Sequence, residues 1–166
     1  MDITVGPAGA GDEAAICCVL ADNRRDPGLY QESTAAIARA LGDFVVARDR
    51  VGRVVGCAGL HRDAPELAQV YAVAVALQRQ GQGIGRRLVQ ACQERASADG
   101  IARLWLATAK PGYFARCGFQ PMSRWRLPAS VLLRKLSQTF RQPAGRWLPA
   151  LLGRHTFMRC EVKGLK

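Results

Sequence analysis

Val73-Ala74-Val75-Ala76-Leu77-Gln78-Arg79-Gln80-Gly81-Gln82-Gly83-Ile84-Gly85-Arg86-Arg87-Leu88 is the stretch on which the fold turns. A strand-like run enters a glycine-rich loop, and the loop opens a segment of helical spacing. Ile84, Leu88, Ala91, Cys92 and Ala96 fall on one face, with Arg86, Arg87, Gln90, Gln93 and Glu94 around the rest, and Gly100 ends the pattern. A helix start offers unpaired N–H groups and the positive end of the dipole, so a loop bare of side chains there can lay its amides on a phosphate. The same pattern also serves as a tight strand-to-helix turn. Two familiar nucleotide loops are excluded. A dinucleotide fingerprint needs G-x-G-x-x-G, whereas Gly81, Gly83 and Gly85 are spaced G-x-G-x-G, and no Gly-Lys-Ser/Thr of a P-loop occurs.

Upstream, Phe44–Ala47 and Arg53–Leu60 are β-rich runs joined by Asp49-Arg50-Val51-Gly52, the pattern of a hairpin, and Leu67–Val75 lies next in line. An antiparallel meander follows, in which Gly56 and Gly59 read as close-packing or bulge positions. Further upstream, Ile3–Val5 reads as a strand and Asp12 as the N-cap of a helix over Ala14–Leu20. Asp22–Gly28 carries turn chemistry, and Ser33 or Thr34 caps a second helix that Gly42 stops. Downstream, Ile101–Thr108 is of strand length, Pro111–Cys117 is a short helix ended by Gly118, and Phe119–Met122 is another strand. Val131, Leu132, Leu133 and Leu136 suggest a further helix, Trp147–Leu152 a turn, and Thr156–Val162 a closing strand.

The length of 166 residues suits one compact domain, with a core over about 1–124 and a basic extension with its closing strand over 125–166. The net charge of +11 favours anionic partners, and the surplus gathers late: after Arg116 the one acidic residue is Glu161, against Arg124, Arg126, Arg134, Lys135 and others. No apolar run reaches the roughly 20 residues of a membrane span, and Met1-Asp2-Ile3-Thr4-Val5 has neither a basic n-region nor a long apolar h-region, so a cytoplasmic protein is expected. Six cysteines lack C-x-x-C spacing and read mostly as reduced core residues, so no metal site is expected.

Gln80-Gly81-Gln82-Gly83-Ile84-Gly85 resembles the Q/R-x-x-G-x-G/A acetyl-CoA motif of the GCN5-related N-acetyltransferase (GNAT) family. Val73-Ala74-Val75 is similar to the strand that precedes it there, and Tyr113-Phe114-Ala115-Arg116-Cys117-Gly118-Phe119 resembles the family's later F-Y-x-x-x-G-F element. The likeness covers about Phe44 to Pro121; the N-terminal helices fit the layout, and the segment after Arg124 is only loosely similar. It implies an α/β (α+β) fold: a mixed, mainly antiparallel sheet, a central strand pair splayed near Val73–Val75, and helices on both faces. It further implies acetyl-CoA as cosubstrate. The backbone of Val73, Ala74 and Val75 would pair with the pantetheine arm, Gln80, Gly81, Gln82, Gly83, Ile84, Gly85 and Arg86 would hold the pyrophosphate, and Phe114 would touch the cofactor.

The chemistry implied is direct attack of a neutral amine on the thioester in a ternary complex, which needs a group that takes a proton from the ammonium. The family's strand glutamate is replaced by Gln69, and its tyrosine by Phe114, and neither replacement exchanges protons at neutral pH. Candidate acid–base groups are Tyr113, Glu66, Tyr71 and His61; Gln69 and Tyr71 are candidates for contact with the acceptor. Phe114 after an aromatic residue, with Leu127-Pro128 later, is also similar to the amino-acid acetyltransferases, which points to a small primary amine, an amino acid or analogue, whose carboxylate an arginine holds. Acetylation of a protein or peptide, and a non-catalytic acetyl-CoA-binding module, are the competing readings. Trp125 and Trp147 interleave with arginines, but no nucleic-acid motif appears, and they read as core aromatics beside solvated arginines. A membrane partner is not expected, and a homodimer is compatible with the sequence.

Overall fold

The computed structural model describes residues 3–23, 33–133 and 155–162. Strands β1 (Thr4–Pro7), β2 (Phe44–Arg48), β3 (Val54–Ala64), β4 (Leu67–Val75), β5 (Arg103–Thr108), β6 (Gln120–Pro121) and β7 (Thr156–Glu161) form a seven-stranded sheet in the order β1-β2-β3-β4-β5-β7-β6. Pairing is antiparallel except at β4–β5, which is parallel. The expected meander is β2-β3-β4. Its first turn is set by Asp49, whose carboxylate accepts from the amides of Val51 and Arg53, and by Gly52 at φ +81°. The late strand β7 inserts between β5 and β6, an arrangement the sequence did not suggest.

Period-two alternation sorts the sheet residues onto two faces. Phe44, Val46, Cys57 and Ala74 pack with Ile16, Val19 and Leu20 of α1 (Glu13–Asp22) and Ile37 of α2 (Thr34–Arg39). Val45, Ala58, Leu60, Ala68 and Val70 face the opposite way, against Ile84, Leu88, Val89, Cys92 and Ala96 of α3 (Ile84–Ala98) and Phe114 of α4 (Pro111–Ala115). Leu67 and Trp105 are covered by Leu127 and Val131, from the segment whose helical residues 129–133 begin the expected helix; Leu136 and Trp147–Leu152 lie outside the described residues. Among the described residues no helix is long and apolar enough to cross a membrane.

The central strands part where the site lies. Strand β4 pairs with β5 at Leu67–Gln69 alone, yet follows β3 as far as Val75. Between Tyr71 and Ala74 the two residues Ala72 and Val73 stand against the single Ala58, so β4 carries a bulge, and Ala72 sits at φ +51°. Left-handed backbone costs an alanine about 1–2 kcal/mol, and a bulge bends its strand and increases the twist. Gly59 lies across from Tyr71: a Cβ there would stand 2.4 Å from the Tyr71 ring, so glycine makes room for the ring to lie over β3. A Cβ on Gly56 would be 3.0 Å from Leu88 of α3, so both glycines are close-packing positions, as expected.

Three sequence expectations change. Ser33 caps α2 by accepting from the amide of Ala36, but the Asp12 side chain makes no such bond in α1. Its carboxylate accepts from the Gly9 amide at 2.7 Å and from Arg48 of β2 at 2.9 and 2.6 Å, tying the start of α1 to the sheet. Only Cys57 and Cys92 of the six cysteines are buried, their thiols pushed up to about 12 by burial. Trp125 is 74% exposed beneath Arg124, whose guanidinium lies 4.8 Å from the ring centroid, and is not a core aromatic. Trp147 lies outside the described residues.

The Asp12–Arg48 pair makes a pH prediction. The hydrogen bonds from Arg48 hold the Asp12 carboxyl below its ordinary value, so their stabilisation is complete above the unfolded-state pKa and fades as pH falls through the folded one. Asp12→Asn is expected to lower stability at pH 7 by about 1.5–3 kcal/mol, with the gap from the parent narrowing on acidification. Urea melts at neutral and acid pH check this.

Candidate active site

The diverging ends of β4 and β5, the glycine loop and α4 enclose a cavity of about 630 Å³. One wall is β4 from Gln69 to Val75, whose edge has lost its partner strand beyond Gln69; the facing wall is Leu106, Ala107 and Thr108 of β5. Val73, Ala74 and Val75 line this wall.

At the mouth a 3-10 turn, Leu77–Arg79, leads into the loop. Gly81 and Gly83 both adopt φ +76°, Gly83 as the left-handed N-cap of α3, with open space where a Cβ would be, so backbone conformation is what requires glycine at both. The first helical bond runs from the Arg87 amide to the Gly83 carbonyl, which leaves the amides of Ile84, Gly85 and Arg86 ahead of it as orphan donors. Gly85 has another constraint: a Cβ there would lie 2.5 Å from the Tyr113 hydroxyl.

Gln80 and Gln82 do something other than expected with their side chains. The Gln80 amide donates to Asn23 Oδ1 at 3.0 Å and to the Val75 carbonyl at 3.1 Å, and Asn23 donates to that carbonyl at 3.0 Å and to Val19 at 2.8 Å. Both N–H groups of Gln80 are thus engaged in fastening the loop to β4 and the end of α1. Asn23, read from sequence only as a turn residue, is the hub of that junction and lines the cavity. Gln82 does not line it, and its Oε1 is buried without a hydrogen-bond partner among the described residues, which costs roughly 1–3 kcal/mol.

Charge on the lining is one-sided. Arg79, Arg86, Lys110 and Arg116 contribute to it and, among the described residues, no Asp, Glu or His does, so this lining suits an anion. Arg86 was anticipated from its place in the first helical turn; Arg79, Lys110 and Arg116 were not, because nothing in their spacing sets them apart from the other arginines.

Phe114 is buried and lines the cavity, edge-on to Phe119 at 6.1 Å and to Tyr113 at 5.0 Å between centroids. Tyr113 also lines it; burial pushes its hydroxyl above the ordinary value, with Arg116 and Arg86 opposing, so it is a proton-bearing donor at neutral pH. Because that hydroxyl lies over Gly85, Tyr113→Phe is expected to raise the KM for acetyl-CoA by about tenfold, the worth of one good hydrogen bond, and to leave kcat near the parent value. Steady-state kinetics separate this from loss of a general acid, which lowers kcat.

Gln69 is buried and, with Tyr71, lines the β4 wall of the cavity. Glu66 is not brought to the cavity. It lies in the β3–β4 turn with its side chain 68% exposed, 3.8 Å from Arg103. His61 pairs across β3–β4 with Gln69 and bonds Asp43, which ends the 3-10 turn Leu41–Asp43 before β2. Asp43 carried no signal in the sequence.

Residues 40–121 match the family model described as "Acetyltransferase (GNAT) domain". An uncharacterized N-acetyltransferase from Chlorobaculum tepidum is 27% identical over 130 residues, 78% of this chain and 83% of that protein. An amino-acid acetyltransferase from Mycobacterium tuberculosis is 30% identical over 114 residues, covering 68% of this chain and 66% of the relative's length. A Mycobacterium tuberculosis protein solved in complex with CoA aligns at a TM-score of 0.81 with 25% identity, across 96% of this chain and 99% of that one. The matched span runs from the end of α2 through the bulged strand, the loop and α4 to β6, so sequence likeness and shape agree on the part of the molecule that builds the cavity. The chain belongs to the GNAT family and is an N-acetyltransferase.

Proposed function

We propose that this chain transfers an acetyl group from acetyl-CoA to the primary amine of a small acceptor, an amino acid or an analogue, by direct attack within a ternary complex. The observation that carries the reading is the free edge of β4 between Val70 and Val75, which faces the cavity beside the orphan amides of the loop. An edge strand pairs with whatever extended amide chain is offered to it, and a pantetheine arm is such a chain. At its far end the amides of Gly81–Arg86 and the guanidinium of Arg86 are suited to a pyrophosphate. Acetyl-CoA supplies the electrophilic thioester carbonyl.

The amino-acid acceptor rests on two supports. The Mycobacterium tuberculosis relative is named an amino-acid acetyltransferase. Among the described residues the cavity lining carries three arginines and a lysine and no carboxylate, which favours an acceptor bearing its own carboxylate and disfavours a polyamine. Calorimetric titration with acetyl-CoA and CoA, then thiol release across amino acids and polyamines, tests the reading. Binding with amino-acid turnover is expected. Binding without turnover on any small amine would move the acceptor to a protein or peptide, and absence of binding would overturn the proposal.

A further inference from the structure

Acetyl transfer, on the reading above, needs a proton acceptor, and among the described residues the cavity lining offers no carboxylate or imidazole. Among the described residues its ionisable side chains are two tyrosines, three arginines and a lysine, residue types that ordinarily hold their protons at neutral pH. One step outside the lining, His61 stands directly across β3–β4 from Gln69, so the two side chains share a face of the sheet. Its Nδ1 is 3.0 Å from Asp43 Oδ2, and the Tyr71 hydroxyl donates to the same oxygen at 3.4 Å. Gly59 permits this geometry, since the Tyr71 ring lies where any larger residue would put its Cβ.

We propose that His61, held by Asp43, is the proton acceptor for the incoming amine and stands in for the carboxylate that Gln69 lacks. An ionised carboxylate only accepts hydrogen bonds, so the contact with Asp43 places the ring proton on Nδ1 and leaves Nε2 as the basic nitrogen. The N–H bond of the substrate ammonium breaks, directly or through one water, and an Nε2–H bond forms; Asp43 then faces an imidazolium. The free amine attacks the thioester carbonyl, a C–N bond forms and the C–S bond breaks with its electron pair on sulfur. The second amine proton neutralises the thiolate, and His61, 41% exposed, returns its proton to water.

Among the described residues the groups facing His61 are few. Asp43 bonds it from the turn before β2, Tyr71 of β4 donates to the same Asp43 oxygen, and Asp63, two residues along β3, is bonded to the Trp105 indole at 2.7 Å. On that face β2 presents Phe44 and Val46, and α1 presents Ile16, Val19 and Leu20, none of them ionisable.

Two measurements test this. The chain has two histidines, so nitrogen-15 NMR of the imidazoles, assigned with His155→Gln, reads the tautomer of the neutral ring. Nδ1–H with a bare Nε2 is expected; Nε2–H overturns the proposal whatever the acceptor is. In kinetics with the amino acid that gives most thiol release, His61→Gln is expected to lose about 10²–10⁴-fold in kcat near pH 7. CoA affinity and melting temperature stay at parental values, and the deficit shrinks as pH rises and the acceptor deprotonates unaided. Added imidazole restores part of the rate of His61→Ala. A folded, CoA-binding His61→Gln with parental kcat, or a loss that is equal at every pH and not rescued, overturns the assignment. Absence of turnover on every small amine with CoA binding intact defeats the acceptor reading instead, and the tautomer then decides the role of His61.

Discussion

Gly85→Val is expected to weaken acetyl-CoA binding by about 100-fold or more, the worth of one to two hydrogen bonds to a charged group. The new side chain would start 2.5 Å from the Tyr113 hydroxyl and 3.6 Å from a Val75 methyl, on the surface shared by β4, the loop and α4. Tyr113 has to swing aside and the first-turn amides of α3 lose their open approach. The fold should suffer less. Gly85 is in ordinary helical backbone, unlike Gly81 and Gly83, and overpacking of this kind costs about 1–3 kcal/mol. Calorimetry with CoA and a thermal melt on the same sample separate the two effects. A variant that binds CoA like the parent would remove the loop from the cofactor site.

Trp105→Ala is expected to cost about 3–5 kcal/mol of stability, a large share of what a domain of this size has. Trp105 is fully buried, stacked on Phe157 with centroids 6.2 Å apart, packed among Leu67, Leu127 and Val131, and its indole donates to Asp63 at 2.7 Å. It is also the last residue of β5 to pair with β4 before the strands separate, opposite Gln69. Losing it removes the wedge at the fork, so the Gln69 end of the cavity should loosen as well as the core. Trp105→Phe keeps most of the apolar contact and gives up the indole bond, and should fall about 1–2 kcal/mol short of the parent in a urea titration. An alanine variant as stable as the parent would show that the third core cluster contributes little.

The elements written in local periodicity were legible from sequence. Alternation in Phe44–Val75 announced the meander, and G-x-G-x-G before a 3.6-residue pattern announced the loop and α3. Legibility stopped where a residue's role depends on a partner far along the chain. Strand β7 enters the sheet beside β5 from roughly 50 residues downstream, a pairing no local pattern specifies. Ala72 holds a left-handed conformation that alanine does not advertise, so the splay could be placed near Val73–Val75 only by resemblance, while the bulge itself begins at Ala72. Asp12 looked like a cap because aspartate before an apolar run usually is one; Arg48, brought alongside by β2, takes its carboxylate instead. Asn23 and Asp43 acquire their roles from Val75, Gln80 and His61, which folding brings to them.

Hydrogen–deuterium exchange with and without saturating CoA tests the central claim most directly, because it reports where on the chain the cofactor lies. Binding at the splay should slow exchange of the β4 amides in 70–75, as a ligand chain replaces the missing strand, and of the loop amides in 81–86, as they close on phosphate. Protection confined to those two segments is the predicted result. Unchanged exchange in both, with CoA bound and protection elsewhere, would contradict it.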